Sequence, residues 1–278
     1  HTSVLDRTKY VSMEMDAAIL AALFGLEKLH VSLAGVDTAA DGIAATMAAI
    51  PTKLPTFSAK GVKTGKYKYA QKGEIMGKPF EATSTLSIAK AKRGGQNVWM
   101  VSDEAKTPMG NASDTTYLDS KTMLPVSRSI KQGPATIELA FKNGTVKGSL
   151  KAGGQEMPVN ANTEGPVLSE GTPMQLAVST LPLANGYKVG LRSFDIMTAK
   201  VEGLGLEVKG TENVSVPAGK FNVYRVEIAP ADGSSGQTLW IEKTGARRIV
   251  KWETKMPAQK GGGMPAGSRY QTTRHSGE

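Results

Sequence analysis

Three histidines, His1, His30 and His275, supply all the imidazole in a chain of 278 residues that has no cysteine. Acid–base chemistry at neutral pH and transition-metal ligation draw first on these two residue types. None of the histidines has a second ligand beside it in sequence, and His30 falls where a helix end takes a cationic cap. The missing cysteine removes thiolate nucleophiles, disulfides and Cys-based metal sites. No G-x-S-x-G elbow, H-E-x-x-H pair or calcium loop occurs. The stretch "GLGLEVKG" has spaced glycines but lies in alternating sequence and opens no helix, so it does not read as a phosphate cradle. Carboxylates are numerous but scattered. No catalytic residue, metal or cofactor is expected from this inventory.

Binding chemistry is better represented. Lys plus Arg number 34 against 25 Asp plus Glu, a net charge of +9, which allows attraction to anionic membranes, acidic polymers or nucleic acid. In "AKGVKTGKYKYAQKG" the lysines 66 and 68 alternate with Tyr67 and Tyr69, so the tyrosines share one face of a strand and the lysines the other. In "TLWIEKTGARRIVKWETKMP" a turn at Gly245-Ala246 sets Leu239 opposite Trp252, Ile241 opposite Val250 and Lys243 opposite Arg248. That register puts Leu239, Ile241, Val250 and Trp252 on an apolar face, Trp240, Glu242, Ile249 and Lys251 on a mixed one, and Lys243, Arg247 and Arg248 at a solvated tip. Single-strand readers need aromatics and cations together on one exposed face. Nucleic acid is therefore not the expected partner.

The elements that carry these residues are mostly strands. Aromatics make up only 6% of the chain, with 31 Gly and 14 Pro, a balance suited to short strands and tight turns. Met15, Ile19, Leu23 and Leu26 recur at helical spacing and predict a helix over 12–31, followed by a second over about 38–50 that Pro51 closes. Residues 1–54 are read as this two-helix lead, possessing no apolar run long enough to span a bilayer. Residues 55–278 alternate, and the spacing predicts an antiparallel, curved, half-barrel-like sheet. Asn143-Gly144 in "ATIELAFKNGTVKGSL" and Pro217-Ala218-Gly219 in "ENVSVPAGKFNVYRVEI" mark hairpin turns. The Gly- and Pro-dense segment 151–173 reads as a long connection, and 258–268 as a loose one. "TYLDSKTMLPVSRSI" echoes "LWIEKTGARRIV", one plan for two hairpins, which leaves internal duplication and chance likeness both open.

With "VPAGKFNVYRVEI" followed by "LWIEKTGARRIVKWE", residues 55–256 resemble bacterial envelope domains of the lipoprotein-carrier superfamily, in an uncharacterised branch of it. The resemblance implies a half-open barrel with an apolar concave side, in the periplasm or outside the cell, and a role in shielding acyl chains. The expectation is a non-catalytic domain that binds a lipid or other amphiphilic ligand, or an envelope protein partner. Trp99, Phe141, Phe194, Tyr224 and Trp252, each in an alternating apolar segment, are the expected cavity lining. A second reading comes from "HTSVLDRTKYVSMEMDAAILAALFGLEKL", which resembles the last stretch of secreted di-zinc aminopeptidases. It implies a zinc-ligand ancestry for His1 and an accessory C-terminal domain cut from a longer product. A basic nucleic-acid-binding module is the third.

Overall fold

The computed structural model describes residues 50–75, 78–107, 110–196, 198–231, 233, 235–255 and 269–277. The helices expected in the lead and the loose segment at 258–268 lie outside them, apart from Ile50, which is irregular.

Tight turns fold most of the chain into a meander. Strands β1 (Gly65–Ile75), β2 (Lys78–Arg93), β3 (Gln96–Thr107), β4 (Gly110–Asp119) and β5 (Pro125–Gln132) are followed by β6 (Ala135–Lys142), β7 (Thr145–Ala152) and β8 (Gln155–Asn162). After the two-residue strand β9 (Leu168–Ser169) comes helix α1 (Thr172–Ser179), the one helix among the described residues. Strands β10 (Lys188–Asp195), β11 (Lys200–Val216), β12 (Gly219–Ala229), β13 (Gly236–Glu242), β14 (Ile249–Lys255) and β15 (Arg269–Gly277) complete the chain. All fifteen form one sheet in the order β8-β7-β6-β5-β4-β3-β2-β1-β15-β14-β13-β12-β11-β10-β9, antiparallel except for β9 beside β10. It is the mainly β, curved sheet that the alternation predicts. Asn143 and Gly144 turn β6 into β7 with φ of 50° and 73°, the positive pair that a tight hairpin requires.

The sheet coils without closing, and its two ends overlap instead. Along β10, Leu191 packs into the large core cluster with Leu204, Leu206 and Val226. Phe194 packs with Ile137, Leu139 and Val146 of β6 and β7 in a second cluster. Successive side chains of a strand point to opposite faces, so the β9–β10 end lies between the two clusters, beneath the β5–β8 arm. Polar ties hold this overlap: Arg128 of β5 donates through Nη1 to Ser169 Oγ at 2.9 Å, and Arg192 of β10 donates to the Thr163 carbonyl. A third cluster of Val223, Trp240 and Val250, with Val214, Val216 and Phe221 against it, covers the other face of β11–β14.

The echo between the two hairpins holds in their geometry. Val98 and Trp99 face Asp119 and Leu118, while Val223 and Tyr224 face Glu242 and Ile241. A bulge follows Tyr117 in one hairpin and Trp240 in the other. In each, the acid's backbone N–H closes the tip, Asp119 on Leu124 O at 2.8 Å and Glu242 on Arg248 O at 2.9 Å. The residue before that acceptor has positive φ, 57° at Met123 and 50° at Arg247. The tips differ by the single residue that the sequences show.

Three expectations need correction. The segment 151–173 is no plain connection, because Gly153-Gly154 make a tight turn, with φ of 57° and 79°, into strand β8 and the chain then adds β9. Pro158 is tolerated because β8 is an edge strand, where a missing N–H breaks no ladder. The expected pairing of Leu239 with Trp252 is present, but the bulge sets Ile241 opposite Ile249 rather than Val250. Ile249 therefore joins the large core and Val250 the third cluster with Trp240, reversing the faces expected for those two residues.

Gly148 of β7 lies so close to β6 that a Cβ would stand 1.8 Å from the Glu138 carbonyl oxygen. Gly148→Ala is expected to lower urea stability by about 3 kcal/mol or more, against under about 0.5 kcal/mol for exposed Lys147→Ala. Matching midpoints for the two variants would contradict this close approach.

Candidate binding site beneath the helix

The concave side of the sheet is roofed by α1 and the chain that follows it. Pro173 sits in the helix's first turn, where its missing N–H breaks no intrahelical bond, and Gly171 precedes it at φ 80°. Met174, Ala177, Val178, Leu181 and Leu183 all enter the large core cluster. Against them lie Tyr67 and Tyr69 of β1, Leu86 and Ile88 of β2, and Ile249 of β14. Phe57, from the irregular segment before β1, closes the cluster at 4% exposure.

Between helix and sheet a cavity of about 30 Å3 remains, lined by Tyr67, Tyr69, Leu86, Ile88 and Ile249 below and Thr172, Leu176 and Ser179 above. Lys63, Arg247 and Arg248 also line it. That volume is room for a few waters at most. Larger hollows exist, but they are open. One of about 620 Å3 includes the cross-strand row Lys68, Thr85, Glu104, Ser113 and Lys131, a polar floor unlike an apolar ligand site.

Polar ties pin the roof at both ends. At the N-terminal end Thr172 Oγ1 donates to Asp103 Oδ2 at 3.4 Å, and Arg128 joins β5 to Ser169 just before the helix. Arg128 is also held by Asp114 in a two-pronged contact at 3.0 and 2.6 Å. Burial, opposed by Arg128, pushes the Glu170 carboxyl up to about 7. By surface area Glu170 is only partly buried, but its carboxyl lies deep, where it accepts the Ile196 N–H at 3.4 Å. Burial also raises Asp103, whose Oδ1 is enclosed without a hydrogen-bond partner. At the C-terminal end Arg247 Nη1 donates to the Leu181 carbonyl at 2.6 Å, and Ser58 N–H donates to Thr180 Oγ1 at 3.2 Å.

The hairpin tip is thus more than a solvated turn. Arg248 grips Glu242 through Nε and Nη2, both at 2.7 Å, while Arg247 reaches the roof. Trp240 also shares its face with a cation, Lys251 Nζ lying 4.2 Å from the ring centroid. The expected separation of aromatic and cation does not hold there. Trp240 is nonetheless only 7% exposed, which leaves no open ring face for a base to stack on.

The five residues expected to line a cavity are divided between two clusters. Trp99 and Tyr224 are buried in the large core, and Trp252 packs on its margin, edge-to-face with Tyr69 at 4.9 Å. Phe194 and half-buried Phe141 meet at 6.1 Å in the second cluster, and Phe141 borders an open hollow of about 210 Å3. None of the five lines the cavity under α1. The residues that do line it carry one sequence signal, the Tyr67–Tyr69 alternation. Leu176 carried none, since a helix was not expected there. Of the histidines, His1 and His30 lie outside the described residues and His275 falls in β15.

The sequence model of a family described as "Protein of unknown function (DUF3108)" matches residues 67–262. No curated protein matches the chain. Among solved structures, the fold is similar to a beta-barrel-like protein of the domain of unknown function DUF1849 from Brucella abortus. That match has 10% identity and a TM-score of 0.51, covering 78% of this chain and 98% of that one. A Bacteroides fragilis protein described as exported, with a YmcC-like fold, matches at 10% identity and TM-score 0.30, covering 81% of this chain and 98% of its own. A DUF1329 family protein from Desulfovibrio piger matches at 12% identity and TM-score 0.29, covering 79% and 87%. The first of these likenesses is one of fold. None of these named matches is described as a peptidase, and His1, on which that reading rests, lies outside the described residues.

Two outcomes follow from the ties. Glu170 has a raised folded pKa, so its contribution to stability is present below its unfolded value and is lost as pH rises through about 7. Between pH 5 and 8 the wild type should lose on the order of 2 kcal/mol that Glu170→Gln does not lose. Parallel stability–pH curves for the two proteins would remove this role. Arg247→Ala should cost about 1–2 kcal/mol and speed amide exchange over 172–183. Unchanged exchange there would show that the Leu181 tie does not hold the roof.

Proposed function

The chain belongs to the DUF3108 family, and for this member we propose a non-catalytic role outside the cytoplasm: holding an apolar or amphiphilic ligand in the concave bowl beneath α1. One observation carries the reading. The apolar floor of the sheet is covered by a helix of eight residues and its flanking chain, not by a second sheet, and that cover is tied to the rest at a few points. A short roof on discrete ties can lift as a unit, whereas interdigitated sheets cannot. Lifting it exposes Tyr67, Leu86, Ile88 and Ile249 as a continuous apolar floor. The cavity of about 30 Å3 is then the closed state, too small for any lipid.

The resemblance of residues 55–256 to the lipoprotein carriers supports an envelope setting and an acyl-chain ligand, as does the surplus of cations. The lining expected from sequence enters in modified form: Trp99 and Tyr224 lie in the large core and Trp252 on its margin, while Phe141 and Phe194 belong to the overlap of the sheet's ends.

The test uses delipidated protein and a fluorescent fatty acid. The chain has no cysteine, so a Leu176→Cys/Ile88→Cys pair can be joined by a short thiol cross-linker to fix the roof on the floor. Saturable binding by the uncross-linked pair, lost on cross-linking and regained with a cleavable linker, is the expected result. Binding that survives a fixed roof places the ligand elsewhere, and no binding to the folded wild type overturns the reading.

A further inference from the structure

We propose that the bowl is selective for an anionic amphiphile with a single carboxylate or phosphate head, taken at Lys63 and Arg247; the inference rests on the bowl being the ligand site. The charges around the cavity are unevenly compensated. Arg248 is neutralised by Glu242 in a two-pronged contact at 2.7 Å on each side. Arg247, next to it, bonds a neutral carbonyl, that of Leu181. Lys63 is exposed. Among the described residues neither Lys63 nor Arg247 makes an ion pair. Both line the same cavity as Tyr67, Leu86 and Ile88. An apolar floor and two cations without an ion pair therefore share one cavity lining.

That juxtaposition matches a molecule with an apolar chain and one anionic end. The tail takes the surface that α1 covers in the closed state, and the head sits between the Lys63 ammonium and the Arg247 guanidinium. A charge-assisted, two-pronged contact to carboxylate or phosphate is stronger than a guanidinium's bond to a neutral carbonyl. An anionic head thus competes with Leu181 O for Arg247, and capture of the head frees the C-terminal end of the roof. A cationic or uncharged head gains nothing there. Burial raises the pKa of the Tyr69 hydroxyl, so it adds no opposing charge at neutral pH, and it is held on the Ile249 carbonyl at 2.9 Å.

The experiment compares cis-parinaric acid, ionised at pH 8, with its methyl ester on delipidated full-length chain. Acetate and inorganic phosphate serve as head-only controls, and dodecyltrimethylammonium and dodecyl phosphate as competitors. The acid is expected to bind at least tenfold more tightly than the ester, and dodecyl phosphate but not the ammonium to displace it. Lys63→Gln alone, at an exposed position, should cut the acid-to-ester ratio several-fold. Lys63→Gln/Arg247→Gln should bring the ratio close to one with ester binding retained. Because roof loosening affects both probes alike, the ratio isolates the charge. Equal binding of acid and ester to the wild type overturns the head-group assignment while leaving the bowl reading in place. A ratio that the substitutions do not change places the head elsewhere and also overturns the assignment. Binding of neither probe removes the bowl reading itself, and the selectivity with it.

Discussion

A fifteen-stranded antiparallel sheet that coils without closing has to cover a concave face and two free ends, and most of the tertiary structure answers that requirement. Closure would remove both edges through hydrogen bonds. Here the β9–β10 end slides beneath the β5–β8 arm, and side chains replace the missing ladder. Phe194 fills the space against Ile137 and Leu139, and Arg128 and Arg192 bridge the layers to Ser169 and Thr163. Burying two guanidiniums is unfavourable unless their donors are used. Arg128 meets this with Asp114 and Ser169, and Arg192 less fully, since its Nε is buried without a partner.

The concave face is covered by a different means, and the difference matters for function. Its apolar floor spans both halves of the sheet, from Leu86 and Val101 to Leu206 and Leu239, yet the covering element is one short helix. An isolated helix of eight residues has no stability of its own in water. Its order comes from burying Met174, Ala177 and Val178 and from the ties at its ends. The roof is therefore held by apolar burial together with polar contacts at Asp103, Arg128 and Arg247. In the reading proposed above, this is the reason to place the site there rather than in the larger open hollows, whose lining includes no part of α1.

Strands with one buried face declare themselves in sequence, and those were legible. The turns at Asn143-Gly144 and Pro217–Gly219 fall where local chemistry demands them, and Tyr67 and Tyr69 face the core as their alternation with lysines predicts. Elements whose identity depends on context were not. Gly153-Gly154 and Pro158 read as loop punctuation, though the first pair makes a hairpin turn and the proline sits on an edge. Helix α1 is too short for a periodic signal, and its Gly171-Thr172-Pro173 start is equally good loop chemistry. The bulge at Trp240/Ile241 exchanges Ile249 and Val250 between faces, and nothing in a run of four apolar or basic residues reveals which one is extra. Aromatic residues in alternating segments proved to be core in two separate clusters, because alternation reports burial and cannot say against what.

The matched hairpins bring these points together. Both place a large aliphatic residue, Leu118 or Ile241, opposite an aromatic, Trp99 or Tyr224, and both close the tip by the acid's N–H on the residue after a positive-φ position. The tips then diverge in chemistry. In the first, Asp119 accepts from Lys121 N–H, Thr122 N–H and the Thr122 hydroxyl within the turn and from Gln96 Nε2 on the neighbouring strand at 2.5 Å, so the acid is used on the tip and the strand beside it. In the second, the longer tip lets Glu242 hold Arg248 from outside the turn, and Arg247 is left to reach the Leu181 carbonyl. The tip with one more residue is the one that touches the roof. The half of the sheet carrying that second tip is thus the half whose turn is bonded to the roof.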